Sequence, residues 1–195
     1  MFSIRSVQRK IDNVMTKVKI NPDEFLEIPG LNCRIDSDKL KSKDGDNVSL
    51  DFAEAHLLIR ELNKDNGIRM RLPTLKEDYH AFKKLNNRYR ETLCSPEWKA
   101  EYLDGSFLMS NPEIRIANNP RRYEFLGEFT ALVETSKYCK FKENENTCWL
   151  GISTDNYDRA ALFSEFNGKK YSMGAVPPLS NCYGIRVVID KDEIH

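Results

Sequence analysis

The chain has 195 residues, with 30 basic and 30 acidic side chains and a formal net charge of zero. That length suits one domain, or one domain with a small appendage, and buries a core without disulfides or metal. The charge balance argues against nucleic acid as the main partner, and no stretch of the chain approaches the ~18 consecutive apolar residues of a membrane span.

Residues 3–18 read as an amphipathic helix, because Ile4, Val7, Ile11, Val14, Met15 and Val18 recur at helical spacing. Asn21-Pro22 ends the pattern. So short a helix is marginal alone in water. It is expected to pack on its own domain, on a second copy of the chain, or on another protein. Residues 1–21 are set apart on this basis as an N-terminal arm, and residues 22–195 as the domain. The basic N-terminus lacks an apolar h-region, so it does not read as a signal peptide. With Met1 as the natural start, synthesis is expected in a reducing compartment.

Phe25-Leu26-Glu27-Ile28 reads as a first strand, stopped by Pro29-Gly30. Residues 36–47 are polar and read as a solvated loop. They lack the order of acids, glycine and terminal glutamate that a calcium loop needs. A helix follows from about Asp51 to Lys64, with Phe52, Ala55, Ile59 and Leu62 on one face and Asn66-Gly67 closing it. Arg71-Leu72-Pro73-Thr74 then enters a second helix. Thr74 is placed to cap it, with Glu77 completing a capping box. Leu75, Tyr79, Phe82, Leu85 and Tyr89 form the expected buried stripe. Ser95-Pro96-Glu97-Trp98 reads as the start of a short third helix.

After Gly105 the pattern changes. Residues 123–152 and 160–189 alternate aromatic, β-branched and polar residues between turn signals. Asn167-Gly168 marks a hairpin. Residues 176–181 read as a loop because two prolines exclude a central strand, and Cys182 to Asp190 reads as the last strand. Helices first and antiparallel strands after make an α+β layout.

Three stretches carry a family resemblance: Arg71-Leu72-Pro73-Thr74 entering a helix, Cys148-Trp149-Leu150-Gly151, and Tyr183-Gly184-Ile185-Arg186-Val187-Val188. With the strand at Leu26 to Gly30 and the helix carrying Asp51, Phe52, Ala53 and Ala55, this order resembles the C-type-lectin-like superfamily. It is most similar to the bacterial branch that includes the Fibrobacter succinogenes major paralogous domain and the sulfatase-modifying, formylglycine-generating enzymes. The match covers roughly residues 25–190, leaving out 104–122. It implies two main helices packed on a twisted antiparallel sheet whose N- and C-terminal strands pair. It also implies that the segment between Trp149 and Cys182 lies over the binding end. Arg71, Pro73, Thr74, Trp149, Gly184 and Arg186 then take structural roles, Gly184 where backbone approaches closely and Arg186 hydrogen-bonded to loop carbonyls.

The enzymatic relatives need a reactive cysteine pair in the C-terminal third, since the thiolate is the active form. Here only Cys182 sits in that region. The five cysteines, odd in number and irregularly spaced, read first as buried small hydrophobes; under oxidising conditions Cys148 can pair with Cys139 or with Cys182, and nothing in the spacing chooses between them. No CxxC or Cys/His pair has zinc spacing. The Glu-Pro-Asn, Gln-Pro-Asp and Trp-Asn-Asp strings of calcium-dependent sugar lectins do not occur. His56, His80 and His195 are scattered, and there is no GxSxG, P-loop or GxGxxG. No catalytic residue, metal or cofactor is therefore expected.

What remains is a candidate binding surface at Asp155, Asn156, Tyr157, Asp158 and Arg159, which Tyr171, Met173 and Leu179 extend. Tyr and Arg are favoured at binding hot spots, and loops carry function. The expected function is a non-enzymatic binding or structural module. Its partner, or a second copy, is reached through residues 3–18, and a surface ligand through residues 155–181. The resemblance and the missing export signal together point to a phage virion component, such as a head-fibre, decoration or tail-associated protein, or to a cytoplasmic location. The alternatives are a relative of the sulfatase-modifying enzymes and an intracellular bacterial domain that binds a ligand or protein.

Overall fold

The computed structural model describes residues 4–15, 18, 20–42, 44–85, 87–103, 114–116, 123–125, 139–141, 147–150, 160–166, 168, 171–176, 179–180 and 183–193. The layout is α+β, with helices α1 (Ile4–Met15), α2 (Phe52–Asn66), α3 (Leu75–Lys84) and α4 (Asn87–Thr92). None of the described helices is long and apolar enough to cross a membrane.

The described strands form three sheets. In the first, β2 (Cys33–Asp36) lies between β1 (Phe25–Glu27) and β13 (Val188–Asp190), and β13 pairs on its other edge with β4 (Met70–Arg71). The two ends of the domain are thus joined through β2, and β1 does not pair with the last strand directly. The second sheet runs in the order β11 (Tyr171–Val176), β10 (Ala160–Phe166), β5 (Glu97–Leu103), β12 (Tyr183–Gly184), β3 (Ser49–Leu50). The third contains β6 (Ile114–Ile116), β7 (Tyr123–Phe125), β9 (Thr147–Leu150) and β8 (Cys139–Phe141).

Local chemistry sets the helix ends. Asp51 and Thr74 each accept a hydrogen bond from the backbone three residues on, and Glu54 and Glu77 return one, so both α2 and α3 start with complete capping boxes. Gly67 ends α2 in the left-handed region at φ 65°, where a side chain is strained. The stripe that starts at Leu75 is interrupted: α3 stops at Lys84, and Tyr89 belongs to the separate helix α4. Helix α1 lies against α2. It sends Ile11 into the core, with Val7, Val14 and Met15 packed at its margin, and Lys10 pairs with Glu54 at 2.5 Å. Its apolar face is therefore used within its own chain.

Three further expectations are corrected. Ser95-Pro96-Glu97-Trp98 does not start a helix, because Glu97 opens strand β5. Period-2 alternation decides this: Trp98 joins the aromatic cluster on one face, while Glu97 and Lys99 are buried on the other. Residues 36–40 are not a solvated loop. Asp36, Ser37, Lys39 and Leu40 are buried, and the backbone is held by Asp36 N–H to Val187 O at 3.0 Å and Leu40 N–H to Ile185 O at 2.7 Å. The final strand is split into β12 and β13, which belong to different sheets. Between them Ile185, Arg186 and Val187 are all fully buried, so the chain crosses from one sheet to the other through the interior.

The core forms two clusters. One, around Ile28, Ile35, Leu75, Tyr89 and Leu162, is covered by α3 and α4. The other, around Phe52, Leu58, Trp98, Phe163 and Ile185, is covered by α2 and α1. Strand β5 contributes to the second through Trp98, and its opposite face carries the charged groups described next.

Candidate functional site

A cluster of charged side chains among the described residues lies inside the protein. Asp78, Glu97, Lys99 and Arg186 are each 0 % exposed. Glu97 and Lys99 share one face of β5, Asp78 faces them from α3, and Arg186 arrives from the crossover between β12 and β13. Burial alone would destroy unpaired charges of this kind, so each must be answered by a partner.

Glu97 is answered most fully. Arg186 donates to it through Nε at 2.9 Å and Nη2 at 2.8 Å, a two-pronged contact. Lys39 Nζ stands 3.3 Å away. Burial pushes the Glu97 carboxyl up, but Arg186, Lys99 and Lys39 outweigh it and hold it down at about 2. The remaining Arg186 donors reach the Asp36 carbonyl at 2.8 Å and Thr92 Oγ1 at 2.9 Å, and its guanidinium lies 4.6 Å over the Tyr89 ring. Arg186 thus contacts one backbone carbonyl, at the end of β2, but its main partner is a carboxylate on β5.

Asp78 is held by hydroxyls. Tyr89 donates to its Oδ1 at 2.7 Å, while Ser164 and Tyr171 donate to its Oδ2 at 2.6 and 2.5 Å. Lys99 Nζ lies 3.2 Å from Asp78 Oδ1 and 3.6 Å from Glu97 Oε2, and makes no hydrogen bond. Lys39 enters from the loop after β2. Its stem crosses Gly184 so closely that a Cβ there would stand 2.4 Å from Lys39 Cδ, and its amine donates to the Thr92 carbonyl. Gly184 is thus a place of close approach, by a side chain in this case.

Further out on β5, Glu101 accepts the Leu75 N–H at the start of α3 at 3.0 Å. Burial pushes its carboxyl up to about 7, helped by Glu77 and opposed by the hydrogen bond from Leu75 and by Lys99. Arg71 joins the same end of α3 to β13, meeting Glu77 at 2.7 and 2.8 Å and Asp190 at 2.7 Å. The Pro73 carbonyl accepts Ala100 N–H at 2.9 Å.

Tyr171, expected on an exposed patch, is 3 % exposed and bonded to Asp78, so it belongs to the core. Its position at the end of the hairpin turn hid this, because the ring points back under α3 toward Tyr79 and Phe82. Leu179 is exposed, at 69 %. Asp155, Asn156, Tyr157, Asp158 and Arg159 lie outside the described residues, as do Cys182 and His195. Trp149 and Cys148 fall in β9, where Cys148 faces Phe141 in register and Cys139 faces Leu150. Burial pushes the Cys33 thiol up to about 12, which keeps it unreactive, whereas Cys94 is exposed.

The described residues form a polar recess of about 320 Å³, lined by residues including Glu24, Asp36, Asp38 and Lys41. Burial pushes the Asp36 carboxyl up to about 6, and Lys41 neutralises Asp38 at 2.5 Å. Among the described residues no three His, Cys, Asp or Glu side chains gather to hold a metal ion.

A second site-defining feature is topological. Strands β5 and β10 are antiparallel neighbours, and Leu103 pairs with Ala160 in register. Residues 104–159 therefore leave and re-enter the core sheet at one point. The strands of the third sheet all fall within this insertion. Comparison with known protein families, with characterised proteins and with solved structures finds no match.

The buried network was the part that sequence reading missed. Its one available signal was Glu97-x-Lys99-x-Glu101 alternating with Trp98, a strand period that the Ser-Pro helix-start pattern masked.

Proposed function

We propose that the chain is a non-enzymatic binding or structural module in which a rigid core of C-type-lectin-like layout displays residues 104–159. The observation that carries this reading is the pairing of Leu103 with Ala160. An insertion whose two stems are adjacent strands can vary freely without disturbing the sheet, which is how rigid scaffolds present binding loops. The enclosure of Asp78, Glu97, Lys99 and Arg186 supports the non-enzymatic half. These groups face one another and have no open side for a diffusing substrate. Asp155 to Arg159 at the C-terminal end of the insertion are the residues best suited by type to contact a ligand. A head-fibre, decoration or tail-associated protein of a phage virion is the setting that such a display module fits.

The test is excision. Residues 104–159 are replaced by a short Gly/Ser turn joining β5 to β10, and full-length and shortened chains are compared by thermal unfolding and on glycan and peptide arrays. Retention of the cooperative unfolding transition with loss of array binding is the expected result. Binding that survives the excision, or collapse of the core, would overturn the reading.

A further inference from the structure

We propose that Lys99 and Asp78 condense, without any external catalyst, into an intramolecular isopeptide amide that links β5 to α3. The inference rests on the buried network alone and is independent of the binding role.

Each requirement of the reaction is met by a group already described. The nucleophile must be a neutral amine. Lys99 Nζ is fully buried and donates no hydrogen bond that would have to be broken before it attacks. The electrophile must be a carboxyl carbon within reach, and Asp78 Oδ1 lies 3.2 Å from that nitrogen. The reaction must also stabilise an oxyanion. Asp78 Oδ2 already accepts hydrogen bonds from Ser164 and Tyr171, two donors aimed at the oxygen on which charge develops. Finally, water must be excluded, or hydrolysis competes; both partners have zero exposure.

The steps balance without an oxidant or reductant. Lys99 transfers one ammonium proton to Asp78 Oδ1, giving a neutral amine and a carboxylic acid. The amine nitrogen attacks Cγ, forming the C–N bond and placing negative charge on Oδ2 between Ser164 and Tyr171. A second proton passes from nitrogen to Oδ1, with Tyr89, hydrogen-bonded to that oxygen, as the available relay. The Cγ–Oδ1 bond breaks, water leaves and the amide remains. Glu97 is not the proton carrier, because Arg186 keeps it ionised. Instead its Oε2, 3.6 Å from Lys99 Nζ, holds the amine against Asp78 from the other side. The driving force is electrostatic: a buried ion pair carries a desolvation penalty that a neutral amide does not.

The experiment is mass spectrometry of the purified full chain under denaturing, reducing conditions. The expected intact mass falls short of the sequence mass by one water. Trypsin then yields a branched species in which residues 77–83 are joined through Lys99 to residues 91–115. Lys99→Arg restores the full sequence mass, and Asp78→Asn loses one ammonia in place of one water, since the leaving group has changed. A wild-type chain at its full sequence mass overturns the proposal, whether or not the variants fold. So does a water loss that persists in Lys99→Arg.

Discussion

Arg186 and Glu97 meet through two hydrogen bonds, at 2.9 and 2.8 Å, with neither side chain exposed. This contact joins the crossover between the two main sheets to the strand from which the long insertion departs. Removing one partner deprives the other of its main buried counter-charge. Arg186→Ala is therefore expected to cost about 3–5 kcal/mol of stability. Glu97→Ala should cost a similar amount or more, since it leaves both Arg186 and Lys39 without their buried carboxylate. Urea unfolding followed by tryptophan fluorescence measures both. A loss below about 1 kcal/mol for either variant would mean that the pair is not buried in solution.

Gly184 and Lys39 make a second, steric relationship. Any Cβ at position 184 would stand 2.4 Å from Lys39 Cδ, and the far end of Lys39 is fixed by Thr92 and Glu97. The stem therefore has little room to yield. Gly184→Ala is expected to destabilise by about 1–3 kcal/mol, the usual cost of overpacking. Combining it with a shortened partner, in Lys39→Ala, tests the mechanism, because neighbours in contact are non-additive. The double variant should lose less than the sum of the single ones. Strict additivity would place the cost of Gly184→Ala elsewhere, for example in the backbone pairing of β12.

How much of this could be read from residue order depends on the range of the interaction. The capping box at Thr74 and the end of α2 at Gly67 are local, satisfied within four residues, and were legible, whereas at Asp51 only the helix start was read and not its capping box with Glu54. The hairpin around Gly168 was legible for the same reason. Arg71 and Arg186 were singled out only through the family resemblance, and their partners Asp190 and Glu97 were not read at all, because they lie 119 and 89 residues away. Lys39 was the least legible. In sequence it sits among aspartates and serines and looks solvated; only the arrival of residues 183–187 beside it makes its burial worthwhile. Tyr171 failed for a related reason: a tyrosine next to a turn has the composition of a binding residue, and its role depends on Asp78.

Ile11 tests how α1 is held. Its side chain is 1 % exposed within the same cluster as Phe52 and Leu58. If α1 packs on its own α2 in solution, Ile11→Ala should cost about 2–5 kcal/mol, as for other buried Ile truncations. The loss should be independent of protein concentration. A loss that shrinks on dilution would show that the helix is buried against a second copy and not within the chain.

The pH dependence of stability should show two limbs of opposite sign. Glu101 is pushed up from 4.5 to about 7, chiefly by burial, so the folded state holds its proton more tightly than the unfolded chain does. Its contribution is fully present below pH 4.5 and is lost as pH rises through about 7. Asp36, pushed up to about 6 by burial, acts in the same direction. Glu97 has the opposite sign. It is held at about 2 by Arg186, Lys99 and Lys39 against the effect of burial. The stability it supplies is present above pH 4.5 and disappears as pH falls toward 2. Stability measured by urea unfolding should therefore peak near pH 4.5 and fall on both sides, toward neutral pH through Glu101 and Asp36 and toward pH 2 through Glu97. Glu101→Gln should flatten the upper limb while leaving the acid limb intact, because glutamine keeps the shape of the protonated side chain but cannot ionise. An upper limb that is unchanged in Glu101→Gln would assign it to Asp36, and Asp36→Asn would then be the variant that removes it.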